Sequence, residues 1–99
     1  MSRLNAKEVR RRIVALRGWE RRGLEIRRTF EFKDFMGSVG FVRKVAALAE
    51  ARDHHPDIDI RWNKVTLALS THSEGGLTGK DFSMARLCNG IFAGRGASR

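Results

Sequence analysis

The chain has one cysteine, one proline and no tyrosine among its 99 residues. A single thiol excludes an intrachain disulfide and leaves a thiolate zinc centre short of ligands, so Cys88 reads as a buried structural thiol. No apolar run approaches the ~20 residues that cross a bilayer, and the amino terminus lacks the apolar core of a signal peptide. The chain is therefore expected in the cytoplasm, or in the nucleus, with no membrane partner. Acidic residues are also scarce, 11 against 20 Lys and Arg, for a net charge of +9. The excess is local: residues 1–33 hold eleven Lys and Arg against four Glu, whereas residues 34–99 hold nine against seven acidic residues. Arg10-Arg11-Arg12, Arg21-Arg22 and Arg27-Arg28 read as solvated faces of a helix and two strands. No stacking aromatics or reading helix accompany them, so no specific nucleic-acid partner is expected.

What is present is a patterned single domain over residues 1–99, with a small basic tail at 94–99 that lacks apolar anchors and is expected to be mobile. Asn5, with Glu8 three residues on, signals a helix start, flanked by the staple pair Leu4 and Val9. Val9, Ile13 and Leu16 continue the buried stripe, and Gly18 ends the helix. The period then becomes two, with Leu24, Ile26, Phe30 and Phe32 facing inward and Arg22-Gly23 as the turn of a hairpin. Asp34 caps a second helix reaching about Arg52, with Phe35, Val39, Val42, Ala46 and Ala49 as its apolar positions. Gly37 and Gly40 inside it signal either close packing or a loose first turn. Pro56 stops the helical pattern. Ile58, Ile60 and Trp62, then Val65, Leu67 and Leu69, form a second hairpin turning on Asn63-Lys64. A glycine-bearing loop (Ser73 to Leu77) follows. Thr78 with Asp81 then caps a last helix carrying Phe82, Ala85, Cys88 and Phe92. The fold class is α+β: a four-stranded antiparallel sheet with three helices on one face, in the order α-β-β-α-β-β-α.

All three histidines gather at one end of that sheet. His54 and His55 precede Pro56, which holds them in extended or turn geometry with divergent side chains. In a hairpin turning on Asn63-Lys64, residues whose numbers sum to about 127 face each other, which sets His72 opposite His55 and near His54. Histidines without a role, a three-histidine metal site and acid–base chemistry are the alternatives. Consecutive ligands are awkward to aim at one ion and no fourth ligand is evident. Imidazole both gives and takes a proton near neutral pH.

The spacing Glu50, His54-His55-Pro56, Trp62, His72, Asp81 has seven fixed positions in 32 residues. With Gly18-Trp19, "FEFKDF" (30–35) and "THSEGGLTGKDF" (71–82), it resembles the pterin-4a-carbinolamine dehydratases, also known as dimerisation cofactors of a homeodomain transcription factor, over roughly residues 4–92. The resemblance implies loss of water from a 4a-hydroxytetrahydropterin. An acid protonates the departing 4a hydroxyl and a base takes the N5 proton, giving the quinonoid dihydropterin with no cofactor and no metal. It implies that His54 and His72 transfer protons, that His55 positions substrate, that Pro56 shapes the pocket and that Trp62 supports it. Glu50, four residues before His54, is a candidate to orient it or an ordinary solvated carboxylate; Asp81 is equally a helix cap or a participant. The implied partners are a pterin carbinolamine substrate, further copies of the chain as a homodimer or homotetramer, and an aromatic amino acid hydroxylase whose tetrahydropterin is recycled. A protein-binding or coactivator role is the alternative, since one member of the family steadies a transcription factor dimer.

Overall fold

Asn5 accepts from the Glu8 N–H and Glu8 reaches back to the Asn5 N–H, closing a capping box at the start of helix α1 (Ala6–Val14). These contacts come from a computed structural model that describes residues 2–96. α1 stops earlier than Gly18, because the N–H groups of Ala15 and Leu16 turn back to the carbonyls three residues before them. Gly18 is needed one turn later, at φ +84°, where a Cβ would lie 2.5 Å from the Arg28 guanidinium.

Two hairpins follow the alternation read from the sequence, β1 (Glu20–Arg22) with β2 (Glu25–Glu31) and β3 (Asp57–Arg61) with β4 (Lys64–Leu69). They join into one antiparallel sheet of order β1-β2-β4-β3, so β2 and β4 are central and β3 is an edge. Helices α2 (Phe35–Arg52) and α3 (Gly79–Ala93) complete the α-β-β-α-β-β-α order. The core lies between the helices and the sheet face presenting Ile26, Phe30, Val65, Leu67 and Leu69. On the other face Thr29 and Thr66 share a 2.8 Å hydrogen bond among charged neighbours. Residues 94–96 form a short 3₁₀ turn; the rest of the expected mobile tail lies outside the described residues.

Both turns sit one residue from their expected places. The first is Gly23-Leu24, not Arg22-Gly23, which leaves Leu24 exposed. The second is Trp62-Asn63, not Asn63-Lys64. Asn63 is tied to Phe32 twice, accepting its N–H at 2.8 Å and donating its side-chain amide to its carbonyl at 3.0 Å. Ser38 Oγ in turn donates to the Trp62 carbonyl at 2.8 Å. These bonds hold Trp62 at φ +53° despite its bulk, and they move the pairing to Ile58 opposite Leu67 and Ile60 opposite Val65.

The buried stripe of α2 also differs from the expected one. Ser38, Phe41, Val45 and Ala49 face the core, whereas Phe35 and Ala46 are exposed and Val39 and Val42 flank the contact. The helix carries two apolar stripes about one residue apart, and only packing distinguishes them. Gly37 is a close-packing site, since a Cβ there would lie 3.1 Å from the Phe32 Cβ; at Gly40 it would meet nothing. Arg28, expected on a wet face, instead points toward the helices opposite Leu67. Its guanidinium lies 4.4 Å from the Phe30 ring centre and donates to Asn89 Oδ1 and the Arg17 carbonyl. Burial first, then the charges of Arg17 and Arg95, lower its pKa from the ordinary arginine value.

Candidate active site

The histidine corner is built where α2 hands over to β3. Asp53 caps α2 in the left-handed conformation, φ +51°, and its N–H, with that of His54, returns to the last turn at Ala49 and Glu50. His54 is thus anchored by its backbone to the helix end. Pro56 follows, and β3 begins at Asp57. Because β3 and β4 are antiparallel, the start of one adjoins the end of the other, where Thr71 and His72 leave β4 for the 3₁₀ turn His72–Glu74.

His54 has only 12% of its side chain exposed, and its Nε2 lies 2.7 Å from Asp81 Oδ1. Asp81 is fully buried at the start of α3. Its second oxygen, Oδ2, accepts the Thr78 N–H at 2.9 Å and the Thr71 hydroxyl at 2.8 Å. An ionised carboxylate only accepts, so Nε2 of His54 carries the hydrogen and Nδ1 is left as the exchangeable nitrogen.

His55 makes a different contact. Its Nε2 lies 2.6 Å from Glu50 Oε2, with both side chains largely exposed. Glu50 therefore pairs with His55, correcting the expectation that it orients His54: the αL residue Asp53 swings His54 away from the helix stripe that a four-residue spacing assumes. His72 is exposed at the same end of the sheet. The shifted register takes it past the position opposite His55. Pro56 is partly buried beside these groups. Trp62 is not brought among them by strand alternation; it occupies the hairpin turn, 68% exposed. Thr71 and Thr78 were not foreseen as part of the site. The capping spacing of Thr78 and Asp81 was legible, but the burial of Thr71 depends on the register.

Among the described residues no group of three His, Cys, Asp or Glu side chains is arranged to hold a metal ion. Cys88 lies fully buried in the core, where burial pushes its thiol up to about 12, far from nucleophilic reactivity. No helix among the described residues is long and apolar enough to cross a membrane.

The class is an α+β domain with a carboxylate-backed histidine and two more histidines at one sheet corner, and comparison with known proteins gives the family. Residues 2–91 match the family described as pterin 4 alpha carbinolamine dehydratase, and the chain belongs to it. A relative from Roseiflexus castenholzii is 60% identical over 82 residues, covering 83% of this chain and 88% of its own. One from Mycolicibacterium vanbaalenii is 52% identical over 91 residues, covering 92% and 98%. Both bear the provisional name pterin-4-alpha-carbinolamine dehydratase. A crystal structure from Brucella melitensis, titled transcriptional coactivator/pterin dehydratase, is similar with a TM-score of 0.87 and 41% identity, over 91% of this chain and 98% of that one. A pterin dehydratase-like protein identified as a RuBisCO assembly factor in the alpha-carboxysome shares the fold, with a TM-score of 0.64 at 19% identity.

Proposed function

We propose that this protein is a cytoplasmic dehydratase that eliminates water from 4a-hydroxytetrahydropterins by histidine acid–base catalysis, returning the pterin to the cycle of an aromatic amino acid hydroxylase. The observation that carries the proposal is the buried Asp81–His54 pair at the corner holding the other two histidines. In the reaction the C4a–O bond breaks as the leaving oxygen takes a proton and departs as water. The N5–H bond electrons form the C4a=N5 double bond, and a base takes the N5 proton. One group must be protonated and another unprotonated at the same pH, which suits two imidazoles in different surroundings. His54, with Nδ1 exchangeable and Asp81 behind Nε2, and the exposed His72 are that pair. His55, paired with Glu50, and Pro56 hold the flat heterocycle, and no cofactor or metal takes part.

An assembled state belongs to the same proposal. β3 pairs on one side only, and Ile58 and Ile60 on it are 38% exposed. On α2, Phe35 and Met36 are 50% and 71% exposed. A homodimer or homotetramer covers such surfaces. The same exposed apolar residues favour the second reading, a protein-binding or coactivator module in which catalysis is minor. The deciding experiment measures carbinolamine dehydration by the purified chain in buffer containing a chelator. Acceleration over buffer is the expected result; no acceleration between pH 5 and 9 leaves the binding module.

A further inference from the structure

Three buried polar side chains behind His54, with the Lys80 N–H, form a hydrogen-bond chain whose direction is fixed by what each can donate. Asp81 Oδ2 accepts only, so Thr71 must give it its hydroxyl proton, 2.8 Å away. The Thr71 oxygen then accepts from Thr78 Oγ1, also 2.8 Å away. Thr78 Oγ1 in turn accepts the Lys80 N–H at 3.2 Å in the first turn of α3. The sequence of donors therefore runs Lys80 N–H, Thr78 O–H, Thr71 O–H, Asp81 carboxylate, with His54 Nε2–H arriving at the other carboxylate oxygen. Thr71 is 6% exposed, and Thr78 and Asp81 are fully buried. No buried side-chain polar atom among the described residues lacks a partner.

We infer that Thr71 is a positioning residue for the dehydration reaction, its hydroxyl fixing the Asp81 carboxylate so that Oδ1 faces His54 and holds it with Nδ1 toward the substrate. The inference rests on the proposed dehydratase reading for its catalytic consequence, but not for its structural one. Asp81 has two other anchors, its covalent place on α3 and the Thr78 N–H on Oδ2. One donor on Oδ2 restrains the carboxylate from the side of α3 alone; a second donor on Oδ2, arriving from Thr71 just past the end of β4, restrains its twist about the last bond from the other side. Thr71 therefore couples the segment after β4 that leads into His72 to the group that orients His54. A hydroxyl is required and its methyl is not, so serine should serve where valine, of nearly the same shape, fails.

The test combines Thr71→Val, Thr71→Ala and Thr71→Ser with nitrogen NMR of the His54 ring and a dehydration assay. In the unaltered protein the His54 ring is expected as one tautomer with hydrogen on Nε2, and the Thr71 hydroxyl proton is expected to be protected from exchange. In the valine and alanine variants the ring becomes a mixture of tautomers. The maximal rate falls about tenfold, the equivalent of about 1.4 kcal/mol and the scale of one hydrogen bond to a charged group. Thr71→Ser restores both. The inference is overturned by a rapidly exchanging Thr71 hydroxyl in the unaltered protein, or by folded valine or alanine variants that keep the single tautomer. It is equally overturned by a serine variant no better than valine. If the unaltered protein does not accelerate dehydration while the NMR results hold, it is the dehydratase reading that fails and not the role of Thr71.

Discussion

His54 and His55 are neighbours in sequence and opposites in surroundings. One is nearly buried against a buried carboxylate, the other exposed against an exposed one. The difference predicts different defects. Under the proposed dehydration, alanine at His54 or at His72 removes a proton carrier, so turnover should fall by about 10²–10⁴-fold with the fold retained by circular dichroism. His55→Ala should chiefly raise the substrate concentration needed for half-maximal rate. Near-normal turnover in folded His54 and His72 variants removes the mechanism. The types and spacing of these residues were legible from the sequence, because a helix end, a proline and a strand order leave few places for them. The carboxylate behind His54 was not. Glu50 has the helical spacing and Asp81 the contact, since one left-handed residue, Asp53, turns the chain between Glu50 and His54.

At the scale of elements, Asp53 is also where a measurable cost resides. A left-handed residue other than glycine costs roughly 1–2 kcal/mol, less for aspartate, whose short polar side chain tolerates the conformation. Asp53→Gly should therefore raise the unfolding free energy by up to about 1 kcal/mol, read as a higher denaturant midpoint at unchanged slope. A lower midpoint would mean that the Asp53 side chain stabilises the helix end by more than its backbone costs. Element identity and order followed from periodicity and caps, as Asn5 and Asp34 illustrate. Register did not follow, because the Trp62-Asn63 turn is selected by bonds from Phe32 and Ser38, which lie on other elements. The core face of α2 was likewise ambiguous, since both of its stripes are largely apolar, and the neighbouring Phe30, Phe32 and Phe92 rings, 4.8, 5.1 and 6.2 Å from Phe41, identify the one that packs inward.

For the whole molecule the basic first third is the largest long-range feature. Arg10, Arg11 and Arg12 are exposed on α1. Replacing all three by glutamine should leave dehydration unchanged and abolish only weak nucleic-acid attraction at low salt, because affinity built on charge alone decays steeply with ionic strength. Sub-micromolar binding to a particular nucleic acid at 150 mM salt, lost in the triple variant, would assign the charge a purpose. The Trp62 turn gives this molecule an optical report on its own edge. Trp19 is 6% exposed with its Nε1 bonded to Asn89, whereas Trp62 is 68% exposed beside β3. Trp19 should emit in the blue and resist quenching by acrylamide; Trp62 should emit in the red and be quenched freely. A subunit that covers the β3 edge would shift only the red component, and dilution through the dissociation seen by sedimentation would return it. If that component stays red and quenchable while the assembly forms, the subunits meet elsewhere, and the two colours will have shown it without a label.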